Sequence, residues 1–295
     1  MDGEIYLDNN ATTRPSAEVR RAMFAALDEG FGNPSSDHLR GWRARDALHR
    51  ARTSVAALVG ADSAQLIFTG SATEANNIIL ASAVARAAGG PARIVTSPVE
   101  HSSVLKACEH FAHRGVEIAY LPVDTDGVVD LDALGNQVTA HTSLVSVQWA
   151  NNETAVVQPI SEISTLCRER GVPLHVDAAQ AVGKLDIDPG AAGVDFVSLT
   201  AHKMHGPVGV GAVYVRAPAT LEALFFGGPQ ESGLRPGTEN LPAIVGFGVA
   251  AELRLPRLAA VERQLGLLAT GLAQTVPGKP KEKPSLETTD LGRLV

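Results

Sequence analysis

Residues 196–215, FVSLTAHKMHGPVGVGAVYV, set one lysine between two apolar runs. Phe196–Leu199 and Val210–Val215 are rich in valine and bounded by Gly and Pro, which predicts two short buried strands. Thr200, His202, Lys203, His205 and Pro207 lie between them as a compact polar turn. Strands this close in sequence are able to pair antiparallel. A turn lysine is ordinarily a solvated charge, so the rest of the sequence has to supply a reason for this one.

Further strand candidates precede the turn at Gln65–Thr69, Arg93–Ser97, Glu117–Pro122, Leu144–Trp149 and Pro173–Asp177. Helical periodicity fills the gaps, as at Glu74–Ala88, Ser103–Arg114 and Ile160–Arg170. This βαβα rhythm predicts a mostly parallel sheet with helices on both faces. No internal repeat is visible. Pro256–Leu272 reads as a late helix with its proline in the first turn. The Pro- and Lys-rich segment after it reads as a frayed tail.

Composition narrows the function class. The 295 residues are 45% hydrophobic and 19% charged, enough for a sizeable core. A formal net charge of −7 argues against nucleic acid or an anionic membrane surface as partner. No apolar run has the length of a membrane span. The start, MDGEIYLDNNATT, is acidic and polar, unlike a signal peptide. Cys108 and Cys167 cannot form a disulfide framework, and no Cys/His spacing suggests zinc. A cytoplasmic protein without a metal centre is the expectation.

In open α/β sheets, ligands gather at the carboxyl ends of the strands. Ser71-Ala72-Thr73-Glu74 follows one strand and opens a helix, which fits either an N-cap or a phosphate cradle of backbone N–H groups and hydroxyls. His101 stands ahead of a second helix, as a capping residue or a functional imidazole. Asn151 and Asn152 follow a third strand, as turn formers or as ligands. Asp177 ends an apolar strand, where a carboxylate needs a cationic partner. A phosphate cradle, an imidazole, an amide, an aspartate and Lys203 together match the needs of pyridoxal 5′-phosphate. That cofactor requires an anion site, a lysine for its Schiff base and a carboxylate against its ring nitrogen.

Eight motifs in order carry a family resemblance: YLDNNATT, FGNPSS, FTGSATEANN, VEHSSVL, WANNET, HVDAAQAVGK, AHKMHGPVGVGA and GGPQESGLRPGTEN. From about Ile5 to Pro277 the chain resembles the cysteine desulfurases of the nitrogenase and iron–sulfur-assembly type, within the class V, fold-type I pyridoxal-phosphate enzymes. The resemblance implies a mostly parallel seven-stranded sheet sandwiched by helices over residues 12–252. Residues 1–11 and 253–295 would be the remnant of an incomplete, smaller second domain and a tail.

The implied roles follow residue by residue. Lys203 would bind the cofactor covalently, and His101 would stack on its ring and assist proton transfer. Asp177 would pair with the ring nitrogen, while Asn152 and Gln180 would bond the phenolic oxygen. Ala72, Thr73, Thr200 and His202 belong to the cofactor's surroundings, the last three at its phosphate. Thr238 would reach the phosphate of a second subunit, which implies a homodimer. Asn10 and Asn152 would lie near the substrate. The implied reaction takes sulfur from L-cysteine, leaving L-alanine and a persulfide for an iron–sulfur scaffold protein.

The chain also departs from the family. Ala155 and Val208 replace an expected glycine and lysine, both read as mild changes. The family's nucleophilic cysteine and its carboxylate-binding arginine lie beyond the end of the resemblance, so the chain is expected to be C-terminally truncated and impaired in sulfur transfer. Cys108 and Cys167 fall on apolar helical stripes, which predicts buried, inert thiols. Selenocysteine lyase, an aminotransferase, or a non-catalytic cofactor-binding fragment or scaffold are the alternative readings. His202 and His205 share a tight turn with no third ligand evident.

Overall fold

The computed structural model describes residues 6–257 apart from 88, 89, 91 and 218, and residues 260 and 263 besides. Two helices lead, α1 (Ala17–Asp28) and α2 (Leu39–Leu58). Strands and helices then alternate: β1 (Leu66–Thr69), α3 (Ala72–Arg86), β2 (Arg93–Thr96), α4 (Ser102–Ala112), β3 (Glu117–Tyr120) and α5 (Leu131–Gln137). They continue as β4 (Thr142–Gln148), α6 (Ile160–Glu169), β5 (Leu174–Asp177), α7 (Pro189–Ala192), β6 (Phe196–Thr200), β7 (Gly211–Val215) and α8 (Leu241–Arg254).

The seven strands form one sheet in the order β1-β7-β6-β5-β4-β2-β3. β7 runs antiparallel to both its neighbours, and every other pair is parallel. The two runs flanking Lys203 therefore are an antiparallel pair inside a mostly parallel sheet. Alternation along the strands divides the core. Leu66, Phe68, Ala212 and Tyr214 pack on the face covered by α1, α2, α5, α6 and α8. Ile67 and Val213 pack with α3 and α4 on the other. The central strands β5 and β6 are buried throughout, and β4 at every residue but Ser143, as a sheet covered on both faces requires.

Local chemistry sets where the helices start. Ser71 caps α3 by accepting from Glu74 N at 3.1 Å, so the helix begins two residues before the periodicity predicts. His101 caps α4 in the same way, its Nδ1 accepting from Ser103 N. At the other end, Leu255–Arg257 form a 3-10 turn after α8. The rest of the helix expected at Pro256–Leu272, and nearly all of the expected small-domain remnant from 264 on, lie outside the described residues. Among the described residues no helix is long and apolar enough to cross a membrane.

Candidate active site

Five strand ends converge on one cleft of about 550 Å³. After β1, Ser71, Ala72 and Thr73 line it with the start of α3. The first-turn N–H groups of that helix have no i−4 carbonyl partners, so this wall suits an anion. Gly211 makes the arrangement possible: a Cβ there would lie 2.6 Å from the Ser71 carbonyl carbon and 2.9 Å from Ala72 N. Thr200, His202 and Lys203 enter from β6 and the turn after it, and His101 from the segment after β2. Asn152, Asp177 and Gln180 complete the expected set, with Asn10 at the rim.

The turn lysine points inward. Lys203 Nζ donates to the Asn10 carbonyl and, at 2.9 Å, to that of Ala11. Burial lowers its pKa below the ordinary lysine value, while Asp8 and Asp177 oppose the shift. Residues 10–13 form a strap over the turn: His202 Nδ1 meets Thr12 Oγ1 at 3.1 Å, and Thr13 Oγ1 donates to the His202 carbonyl at 2.8 Å. Gln180 Nε2 donates to the Asn10 carbonyl, and Asn10 Nδ2 donates to that of Asn152. Lys184 donates to Gln180 Oε1 at 2.6 Å and Asn10 Oδ1 at 3.1 Å. Burial pushes Lys184 down to about 8.

Asp177 is buried at the floor. Its Oδ1 accepts from Ala179 N at 2.9 Å and its Oδ2 from Asn76 Nδ2 at 2.8 Å. Burial raises its pKa against those hydrogen bonds and the fields of His101 and Lys203. Among the described residues no cationic side chain is within ion-pair distance of it. A buried carboxylate of this kind would be stabilised by a cationic ligand. A helix start suited to an anion, a buried carboxylate and an amine with a lowered pKa face one space. Such a site could hold a phosphorylated carbonyl compound with a basic ring nitrogen. Among the described residues no group of three His, Cys, Asp or Glu could hold a metal ion.

The structure separates residues that looked alike in sequence. Asn151 is a turn former, its Oδ1 accepting from Glu153 N and Thr154 N, whereas Asn152 lines the cleft. His205 turns away from the cleft to the Arg14 carbonyl. Thr238 is exposed and does not line the cleft of its own chain. Its loop is fastened nearby, because Glu74 accepts from Gly70 N at 2.9 Å and from Arg235 Nε at 2.8 Å. Ala155 adopts φ +60°. The glycine-to-alanine departure is therefore a strained one, on the order of 1 kcal/mol, rather than mild.

Sequence reading missed Asn76 and Ser103, which sit between Asp177 and His101. Asn76 Nδ2 donates to Ser103 Oγ at 2.8 Å, and Ser103 Oγ meets His101 Nδ1 at 2.8 Å. The signal was present: Asn76 is a polar residue in an apolar helical run, and it is fully buried.

Comparison with known proteins shows the family. The class-V aminotransferase family model matches residues 5–276. Cysteine desulfurase 2 of Trichormus variabilis is 42% identical over 98% of this chain and 74% of its own length. Cysteine desulfurase IscS of Rickettsia rickettsii is 44% identical over 84% of this chain, which spans 62% of that relative. Among solved structures, a NifS-like protein superposes with a TM-score of 0.90 at 36% identity, covering 92% of this chain and 75% of the other.

Proposed function

The chain belongs to the class-V aminotransferase family and, within it, to the cysteine desulfurases, and from that premise we propose that it binds pyridoxal 5′-phosphate at Lys203 and acts on L-cysteine. The observation that carries the reading is the pairing, across one cleft, of an inward lysine with a buried, cation-free Asp177. The residues present fit the cofactor. The α3 start with Thr73, Thr200 and His202 would hold its phosphate, and Asp177 its ring nitrogen. Asn152 and Gln180 would lie at the phenolic oxygen, with His101 over the ring. When bound, the cofactor supplies an aldehyde that condenses with amines and a protonated ring that draws electron density from the substrate Cα.

The protein's own part is positioning and proton movement. Lys203 Nζ would hold the cofactor and, as a free amine in the cleft, would serve as the base for the Cα proton. Its lowered pKa leaves more free amine than an ordinary lysine would have. Asp177 keeps the ring nitrogen protonated by offering a buried negative charge. Asn10 and Asn152 stand at the rim, where the substrate enters. The overall change would leave L-alanine, the sulfur passing to an acceptor thiol as a persulfide. Neither Cys108 nor Cys167 is placed to be that thiol, since both are buried and burial pushes each up to about 12. An iron–sulfur scaffold protein in the cytoplasm is the partner this reading implies for the sulfur.

We read the assembly as a homodimer, with Thr238 serving a second copy's phosphate. Its exposure outside its own cleft supports that reading. Light scattering should give a dimer, and a monomer with cofactor fully bound would contradict it.

The function is tested by supplying cofactor and L-cysteine in deuterated water and following deuterium at Cα. Exchange is expected, and Asp177→Asn should slow it by at least ~10²-fold, since the substitution removes the charge that holds the ring protonated. Undiminished exchange in Asp177→Asn, or none in the unaltered chain, would remove the assignment.

A further inference from the structure

Asn76 ties the floor of the cleft to its imidazole. Asp177 accepts at both oxygens, Oδ1 from Ala179 N and Oδ2 from Asn76. An ionised carboxylate only accepts, so the amide of Asn76 must turn its nitrogen, not its oxygen, to Asp177. That nitrogen carries two hydrogens. One goes to Asp177 and the other to Ser103 Oγ, each at 2.8 Å.

The next link follows from counting hydrogens. The Ser103 hydroxyl has one hydrogen, and its oxygen already accepts from Asn76. The hydrogen is left for His101 Nδ1, 2.8 Å away. Ser103 N also donates to Nδ1, at 3.2 Å. A nitrogen that receives two donors is the bare one of a neutral imidazole, so the hydrogen-bond pattern assigns the ring proton to Nε2. Nε2 has no hydrogen-bond partner among the described residues, and His101 lines the cleft.

We infer that Asn76 and Ser103 are positioning residues that hold His101 in its Nε2–H form, so that it meets the substrate as a hydrogen-bond donor at Nε2, not as a base there. The inference rests on the proposed function for what His101 faces, but the tautomer itself does not depend on the cofactor. To accept a proton at Nδ1, the ring would have to break both bonds from Ser103. The Nε2 that faces the cleft carries a proton and has no lone pair free to take one, so removal of the Cα proton falls to Lys203 Nζ, and the part left to His101 is hydrogen-bond donation.

The test uses the full chain with ¹⁵N-labelled histidine and long-range ¹H–¹⁵N correlation spectra, with His101→Gln identifying the His101 signals. The unaltered chain should show Nδ1 bare and hydrogen-bonded and Nε2 protonated. Ser103→Ala should move the Nδ1 resonance towards that of a free imidazole, and Ser103→Thr, which keeps the hydroxyl, should restore it. A proton on Nδ1 in the unaltered chain, or an Nδ1 resonance indifferent to Ser103→Ala, would overturn the inference. Cofactor absorbance recorded on the same samples separates the two claims. Its absence would count against the proposed function while leaving the tautomer pattern readable.

Discussion

Whether a cysteine takes part in sulfur chemistry depends on its thiolate fraction and access. Cys108 on α4 packs in the cluster beside α3, and Cys167 on α6 packs in the cluster on the other face. Burial pushes both thiols up to about 12, with Glu100 and Asp195 adding a smaller rise at Cys108 and Cys167 respectively. The native chain should therefore resist an alkylating reagent at pH 8, while the denatured chain takes two equivalents. Rapid labelling of either cysteine before unfolding would refute the core assignment and reopen that thiol as a sulfur acceptor. This was legible in the sequence because a seven-residue apolar stripe states which way a side chain faces. The left-handed backbone of Ala155 was not, since no pattern of side chains encodes φ.

At the scale of single elements, the sheet carries two buried titratable groups with opposite pH behaviour. His175 on β5 is spanned by Ser146 of β4 at 2.8 Å and Ser198 of β6 at 3.0 Å, and burial pushes it down to about 3. Its neutral form is required in the folded state. Its contribution to stability is complete above about pH 6.5 and is lost as pH falls from there towards 3. Glu100, after β2, accepts from Ser97 Oγ at 2.6 Å, and burial pushes it up to about 8. The folded state holds that proton longer than the unfolded chain, so stability falls as pH rises from about 4.5 to 8. Glu100→Gln should therefore gain on the unaltered chain across that window, by on the order of a few kcal/mol at its upper end. Parallel thermal-unfolding midpoints for the two chains from pH 4.5 to 8 would contradict the assignment. Neither group was singled out from sequence, because burial of a charge depends on which strands become neighbours.

Over the whole molecule, the strand rhythm made the layered sheet legible, and the polar residues at its strand ends made most of the cleft legible with it. Lys203, Asp177 and His101 come from three different strand ends, and the fold brings them to one space. The relay through Asn76 and Ser103 stayed hidden because it joins two helices that sequence spacing cannot register against each other. Thr238 is exposed and does not line the cleft of its own chain. The central claim, that the lysine between two core strands is the cofactor's attachment point, has a real rival beside the site. Lys184 is also lowered, to about 8, but Gln180 and Asn10 hold it and it does not line the cleft. The decisive measurement is to load the chain with pyridoxal 5′-phosphate, reduce with borohydride and map the pyridoxyl group by peptide mass spectrometry. The account predicts it on Lys203; an adduct on Lys184 or elsewhere, or none, would contradict it.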